Sequence, residues 1–393
     1  MKSRVTRFFA DRFDTEPVGA FLDKQIHKRL PPHTGWLHVF GSLSLLLFLS
    51  QTITGILLLI YYRPTPEAAH KSIQYITAEA NFGWLYRQIH AWGASLMILA
   101  VLCHMMRTFF SGAYKKPREL TWVTGVLLFI CTIVFGFTGY LLPWNQIAFW
   151  ATTVGTESAD KVPLIGPWLQ TMLRGGDAVG GETLSRFFVV HVIILPWILT
   201  GIVVIHLVLM RIHNLSTLEP VGKERPLDSQ RGIPFFPVHV AKEGVVAVLL
   251  VAVLVTLSVV WPWEIGVPAD PLSTPEHIKP EWYFLPSYQL LKYFEGRYGA
   301  VFGIFACSLP FVLLLFWPFL DRNPHRHPRK RPFAIALGLA GVFTALILGY
   351  LGHISETEQS FFGKRYHIDL LGIPHAIDAN AADGAHPASD SQP

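Results

Sequence analysis

Four histidines lie inside strongly apolar stretches: His90 and His104 bound "HAWGASLMILAVLCH", and His191 and His206 bound "HVIILPWILTGIVVIH". An ionisable side chain is costly in hydrocarbon, so two such pairs call for partners or a function. At 100° per residue, the first spacing of 14 returns the side chain to within about 40° of the same helix face, about 21 Å along the axis. The second spacing is 15, which overshoots by about 60°. Pro196 lies between its histidines, where a kink can absorb the difference. If both stretches start on the same side of a membrane, His90 faces His191 near one surface and His206 faces His104 near the other. Two facing imidazole pairs at two depths suit two bis-histidine haems stacked across a bilayer. A proton relay and a protein-only metal site are the alternatives, but metal sites favour clustered ligands and a relay normally includes carboxylates, which these stretches lack.

The elements that must position these histidines are helices long enough to cross a bilayer. The chain has 393 residues, 51% hydrophobic and 15% charged, which is too apolar for a soluble globular domain and marks an all-α integral membrane protein. Runs near the 20 apolar residues a span requires occur at about 37–62, 84–107, 121–141, 186–210, 244–263, 300–320 and 333–353. The expected architecture is seven transmembrane helices: a four-helix bundle holding the two haems, then a three-helix segment. Gly41 and Gly55 in the first span, and Gly125 and Gly139 in the third, repeat the 14-residue period, and glycine lets backbone approach a flat ligand closely. Small residues also serve plain helix packing, but matching periods in two spans favour the ligand. Arg87 and Arg107, beside the histidine-bearing turns, can pair with haem propionates or simply mark the membrane edge.

Loop charge predicts the orientation. The N-terminal stretch "FLDKQIHKRLPPH", the loop with Arg107, Lys115, Lys116 and Arg118, the loop with Arg211, Lys223, Arg225 and Arg231, and "DRNPHRHPRKRP" alternate with less basic loops. They are expected in the cytoplasm, with the N-terminus, in a bacterial inner membrane. The net charge of +5 sits in these loops, so it bears on topology and membrane lipid rather than nucleic acid. No cleavable signal peptide is expected. The predicted organisation is a basic amphipathic segment at 1–36, a di-haem domain at 37–215, a cytoplasmic linker at 216–243, a three-helix domain at 244–355 and an outer tail at 356–393. The tail, from about 370 onwards, reads as disordered from its Ala, Asp, Ser and Pro content. The long loop 142–185 is expected to hold short helices on the outer surface. Cys103, Cys131 and Cys307 lie in apolar runs with no CxxC or CxxCH spacing, which argues against disulfides, thiolate clusters and attached haem c.

Several motifs, in order, give these residues a family resemblance. "RQIHAWGASLM", "KKPRELTWVTGV", "GYLLPWNQIAFWA", "TLSRFFVVH" and "PEWYF" resemble cytochrome b of quinol:cytochrome c oxidoreductases over roughly residues 20–355. The likeness is nearest to the bf type, here with the four-helix haem protein and the three-helix "PEWY" protein fused and no eighth helix. In the bf type a cysteine near the start of the first span holds an extra haem; this chain has Val39 there, so two non-covalent b haems are expected and no covalently held extra one, with an extra haem bound without the thioether left open.

The resemblance implies the reaction. A quinol is oxidised at the outer side; one electron goes to a Rieske iron–sulfur protein and a cytochrome c-type subunit. The other crosses through the haems to a quinone at the cytoplasmic side, in what the family implies is a dimeric complex. By the motif, Glu281 accepts a quinol proton, Pro280 and Trp282 shape its turn, Tyr140 hydrogen-bonds the same site, and Pro143, Tyr283 and Phe284 line its apolar wall. Arg211 is placed at the cytoplasmic quinone pocket, where His213, Lys223 and Asp228 lie on the same side, but no proton donor is assigned. The competing functions are a di-haem membrane anchor of a dehydrogenase, against which "PEWY" and the long outer loop argue, and a haem-free proton-coupled transporter.

Overall fold

Backbone amides cannot be left unpaired in hydrocarbon, so an apolar chain of this length resolves into helices. The computed structural model describes residues 4, 8, 11–14, 16–225, 232–275, 278–294, 296–361 and 364–377. Among the described residues, seven helices are long and apolar enough to cross a membrane: Trp36–Leu59, Gly83–Phe110, Glu119–Leu141, Gly181–His213, Phe235–Val260, Tyr298–Leu320 and Pro332–Ile354. These are called the first to seventh spans below.

Two of them differ instructively from the hydropathy pattern. The fifth starts nine residues earlier than 244 and stops at Val260. Trp261 leaves helical geometry, with φ −137° and ψ 65°, because it precedes Pro262 and the proline ring crowds the helical conformation of the residue before it. The fourth is interrupted by a π-helical turn at Val190–Ile194, with Pro196 just beyond it. Proline lacks an N–H and crowds the carbonyl four residues back, which favours such a widened turn. The extra residue taken up there explains why a spacing of 15 in this span can match one of 14 in the second.

The chain divides into two units. The first comprises Met1–Trp144, Gly180–Ile265 and Phe311–Gly338. The first and second spans pack along their length, as do the third and fourth. Leu47, Met97, Ala100, Leu199, Leu250 and Leu254, from the first, second, fourth and fifth spans, form one buried cluster. The basic loops close one end of this unit through a buried polar network. Asp321 accepts from Tyr114 Oη at 2.5 Å and pairs with Lys115 at 2.6 Å and Arg331 at 3.5 Å. Arg331 also donates to the Phe109 and Phe110 carbonyls, satisfying carbonyls that the C-terminal turn of a helix leaves open. A two-residue strand β1 (Arg29–Leu30) pairs antiparallel with β2 (Ile233–Pro234), tying the chain before the first span to the chain before the fifth.

The second unit comprises Asn145–Val179, Gly266–Pro310 and Leu339–Pro393. The long loop does form short helices, Gln146–Asp160 and Gly166–Arg174. Asn145 caps the first through its side chain, which accepts from Ala148 N. Buried Arg174 staples the two, donating to Thr156 Oγ1 at 2.7 Å and the Thr153 carbonyl at 3.0 Å. Another helix, Leu285–Lys292, follows the "PEWY" turn.

The expectation of disorder from about 370 onwards is corrected for residues 370–377 only. Strands β3 (Thr357–Phe361), β4 (Lys364–Ile368) and β5 (Pro374–Ala376) form an antiparallel meander that includes residues in that stretch. Composition missed it because the strand-forming runs "TEQSF" and "KRYHI" precede the Ala- and Asp-rich part. Residues 378–393, like Asp228 and Arg231, lie outside the described residues.

Candidate functional site

In the first unit the four histidines meet as two pairs. The His90 and His191 ring centres are 6.4 Å apart with their planes at 70°. A metal ion about 2 Å from one nitrogen of each of two opposing imidazoles separates the ring centres by roughly 6 Å, so the gap suits one ion. His104 and His206 line one cavity together with Arg107, Arg118 and Gly125. Among the described residues no group of three or more His, Cys, Asp or Glu could hold a metal; the donor set is therefore two imidazoles per site, the set a haem iron needs beyond its porphyrin.

Each ring lies against a glycine of a neighbouring span. A Cβ at Gly139 would stand 2.6 Å from His191 Cε1, one at Gly41 3.0 Å from His104 Cε1, one at Gly125 3.3 Å from His206 Cε1 and one at Gly55 3.4 Å from His90 Cε1. These positions place the ligand-bearing rings where side chains would otherwise be, and the residues present fit haem. Held there, haem would supply one-electron redox chemistry.

Sequence reasoning missed the residues that orient the rings. Thr54 Oγ1 is 2.9 Å from His90 Nδ1, Thr138 Oγ1 3.1 Å from His191 Nδ1, and Thr124 Oγ1 2.9 Å from His206 Nδ1. Backbone groups of Gln51, Phe135 and Thr121 bond the same three rings. An imidazole whose Nδ1 is tied to protein presents Nε2 to a metal. The signal was legible: three of the four glycines follow a threonine, as Thr54-Gly55, Thr124-Gly125 and Thr138-Gly139, while the fourth is Phe40-Gly41. Consistently, His104 Nδ1 is buried with no hydrogen-bond partner among the described residues.

The arginines differ in what they meet. Arg87 is buried and its guanidinium donates to the Trp263 carbonyl at 2.9 Å and the Glu264 carbonyl at 3.3 Å. Arg107 lines the cavity of His104 and His206, and so does Arg118, which also donates to the His213 carbonyl at 2.8 Å. Desolvation holds the Arg118 pKa down at about 10.

At the basic-loop end of the same unit, a cavity of about 310 Å³ between the first and fifth spans is lined by Ser42, Leu43, Leu46 and Glu243, among others. His239 Nε2 is 3.4 Å from Glu243 Oε1. His38 accepts from the Gly35 amide through Nδ1, and its buried Nε2 has no partner among the described residues. His239 and Glu243 fell in the expected linker, although their i, i+4 spacing in "HVAKE" put both on one helix face. Arg211 is exposed and His213 half-buried. Val39 is buried.

Tyr140 and Pro143 are half-buried residues of the first unit. The second unit holds Glu281, Pro280, Trp282, Tyr283 and Phe284. The Phe284 amide donates to the Glu281 carbonyl at 2.8 Å, closing a turn that leads into Leu285–Lys292. The Tyr283 and Phe284 ring centres are 4.6 Å apart. Desolvation alone pushes the half-buried Glu281 carboxyl up to about 7.

Comparisons with known proteins place the chain in a family. The family model for "Cytochrome b/b6/petB" matches residues 25–214, and that for "Cytochrome b(C-terminal)/b6/petD" matches residues 268–368. The chain is 43% identical over 352 residues to the cytochrome bc complex cytochrome b subunit of Chlorobaculum thiosulfatiphilum, covering 89% of this chain and 79% of that one. It is 41% identical to cytochrome b6 of Acaryochloris marina, with 54% of this chain covering 98% of that protein. Among solved structures, a chain of a hyperthermophilic respiratory Complex III superposes with a TM-score of 0.80 at 32% identity, over 89% of this chain and 92% of that one. The chain therefore belongs to the cytochrome b family, as a multi-pass membrane electron-transfer subunit of a bc-type oxidoreductase complex in which the b6-like part and the C-terminal part share one polypeptide.

Proposed function

We propose that this subunit oxidises quinol at the outer side of a bacterial inner membrane, with its N-terminus in the cytoplasm. One electron goes to a Rieske and cytochrome c branch, and the other goes to a cytoplasmic-side quinone site, contributing to the proton-motive force. His90 with His191, and His104 with His206, would hold two non-covalent b haems, and Thr54, Thr138 and Thr124 would fix three of the rings. Arg107 is suited to a haem propionate. The observation that carries the reading is the paired histidine arrangement, each ring set against a glycine.

Glu281 supplies the proton acceptor for quinol. A carboxyl with a pKa near 7 is half ionised at working pH, so it can take a proton from substrate and release it to water. Pro280, Trp282, Tyr283 and Phe284 shape the surroundings of that carboxyl, and Tyr140 and Pro143 are assigned to quinol binding by their motif. On the cytoplasmic side, Glu243 and His239 can deliver protons to a quinone in the cavity beside Ser42, with Arg211 nearby in sequence to the fourth span's end. Two such complexes would associate as a dimer.

The experiment is a redox-titrated optical spectrum of the purified complex. Two b-type transitions are expected in the wild type and the loss of one in His90→Ala. A wild-type protein without b-haem absorbance would end the proposal.

A further inference from the structure

We propose that the segment following the seventh span, together with Lys279 and Gln289, is a positioning device for the Glu281 carboxylate. This rests on the reading of Glu281 as proton acceptor. All the residues involved belong to the second unit.

Glu281 sits in a short turn with a tether on either side. Before it, the Lys279 ammonium donates to the Ser355 carbonyl at 2.9 Å and also to the His353 carbonyl. His353 lies in the last turn of the seventh span and Ser355 just beyond it, where unpaired acceptors and the negative end of the helix dipole favour a cation. After it, the helix Leu285–Lys292 carries Gln289, which is fully buried. Ser355 Oγ donates to Gln289 Oε1 at 2.9 Å, and Gln289 Nε2 donates to the Leu370 carbonyl of the meander at 2.8 Å. The single residue Ser355 thus meets both tethers, through its carbonyl and its hydroxyl.

Two further bonds close the frame. Tyr288 Oη donates to the Ile278 carbonyl at 3.2 Å, linking the helix after Glu281 to the strand of chain before it. Lys292 pairs with Glu356, and the Glu356 amide donates to the Ile368 carbonyl at 2.7 Å. A Cβ at Gly352 would stand 2.8 Å from the Leu285 carbonyl, so the seventh span and this helix touch backbone to side-chain position. The charged and imidazole groups on these elements are Lys279, Lys292, His353 and Glu356, with Lys364 and His367 on the meander, where Arg365 also lies 3.9 Å from Glu358 and Asp369 is paired with His375 at 2.9 Å. The Glu281 shift arises from desolvation, the property that a displaced turn would lose.

The test measures quinol oxidation against pH in intact complex in membranes, for wild type, Lys279→Met, Lys279→Arg, Ser355→Ala and Glu281→Gln. Lys279→Met is expected to lower the maximal rate by roughly tenfold to a hundredfold. Its pH midpoint should fall below the wild-type value as water reaches the carboxylate, with b-haem content and spectrum unchanged. Lys279→Arg should restore both, and Ser355→Ala should move both in the same direction as Lys279→Met. If Lys279→Met complexes do not assemble, Ser355→Ala carries the same comparison. A wild-type rate and midpoint in the assembled variants, alongside an inactive Glu281→Gln, overturns the positioning role while leaving Glu281 in place. A normal rate in Glu281→Gln removes the acceptor reading and this inference with it.

Discussion

The four glycines beside the histidine rings offer a graded test, because the same substitution meets a different clearance at each. Alanine at 139 puts Cβ 2.6 Å from His191 Cε1 and 3.1 Å from Nδ1, whereas alanine at 55 puts it 3.4 Å from His90 Cε1. Ordinary contact begins at 3.4 Å, so the His191 ring must retreat by about 0.8 Å and the His90 ring need not move. Functional geometry tolerates about 0.5 Å, and Thr138, on the residue next to Gly139, holds the His191 ring from the same turn. Overpacking of this kind costs about 1–3 kcal/mol, equivalent to roughly fivefold to 150-fold weaker cofactor binding if the strain falls on the bound state. The expected order of haem loss is Gly139→Ala first, then Gly41→Ala at 3.0 Å, with Gly125→Ala at 3.3 Å and Gly55→Ala near wild type. Haem per polypeptide, from reduced-minus-oxidised spectra of purified complex, gives the readout. Equal haem content in Gly139→Ala and Gly55→Ala would refute the close-approach argument.

Thr138→Val keeps the shape of the side chain and removes the hydroxyl at His191 Nδ1; a loss of about 0.5–1.5 kcal/mol, or about twofold to tenfold in haem affinity, should appear in the same spectra and in a shifted midpoint potential. Quinol oxidation should rise with pH through about 7, where Glu281 ionises, because only the carboxylate accepts a proton; Glu281→Gln should be slow at every pH, and a pH-independent wild type would count against the assignment. Asp321→Asn leaves buried Lys115 and Arg331 without their carboxylate and should cost about 3 kcal/mol of stability, seen as a lower thermal midpoint of the complex. Burial raises the Asp321 pKa, but bonds from Lys115 and Tyr114 outweigh it and hold it below the usual carboxylate range. Its contribution is therefore present above the unfolded value of about 3.9 and lost as pH falls through the lower folded value.

The sequence by itself determined the number of spans, the histidine pairs and the family, because each is written in local chemistry. A run of about 20 apolar residues has one cheap structure in a bilayer, and the helical period converts a spacing of 14 into a shared face. The motif "PEWYF" was legible in the same way. Tertiary structure alone decided what depends on residues distant in sequence. Pro196 marked in the sequence where the fourth span could absorb the difference between 15 and 14, but that the adjustment takes the form of a π-helical turn at Val190–Ile194 was settled only by the folded helix. Thr54, Thr124 and Thr138 each precede one of the spaced glycines, but they lie 36 to 82 residues from their imidazoles, and which ring each hydroxyl meets is decided only when the spans are set side by side. The Glu281 carboxyl was identified by its neighbours in sequence, yet its raised pKa is a matter of desolvation, which no local pattern encodes. The meander after the seventh span shows the same limit, since its order comes from pairing between strands and from Gln289 bonding to Leu370, not from the composition of the tail.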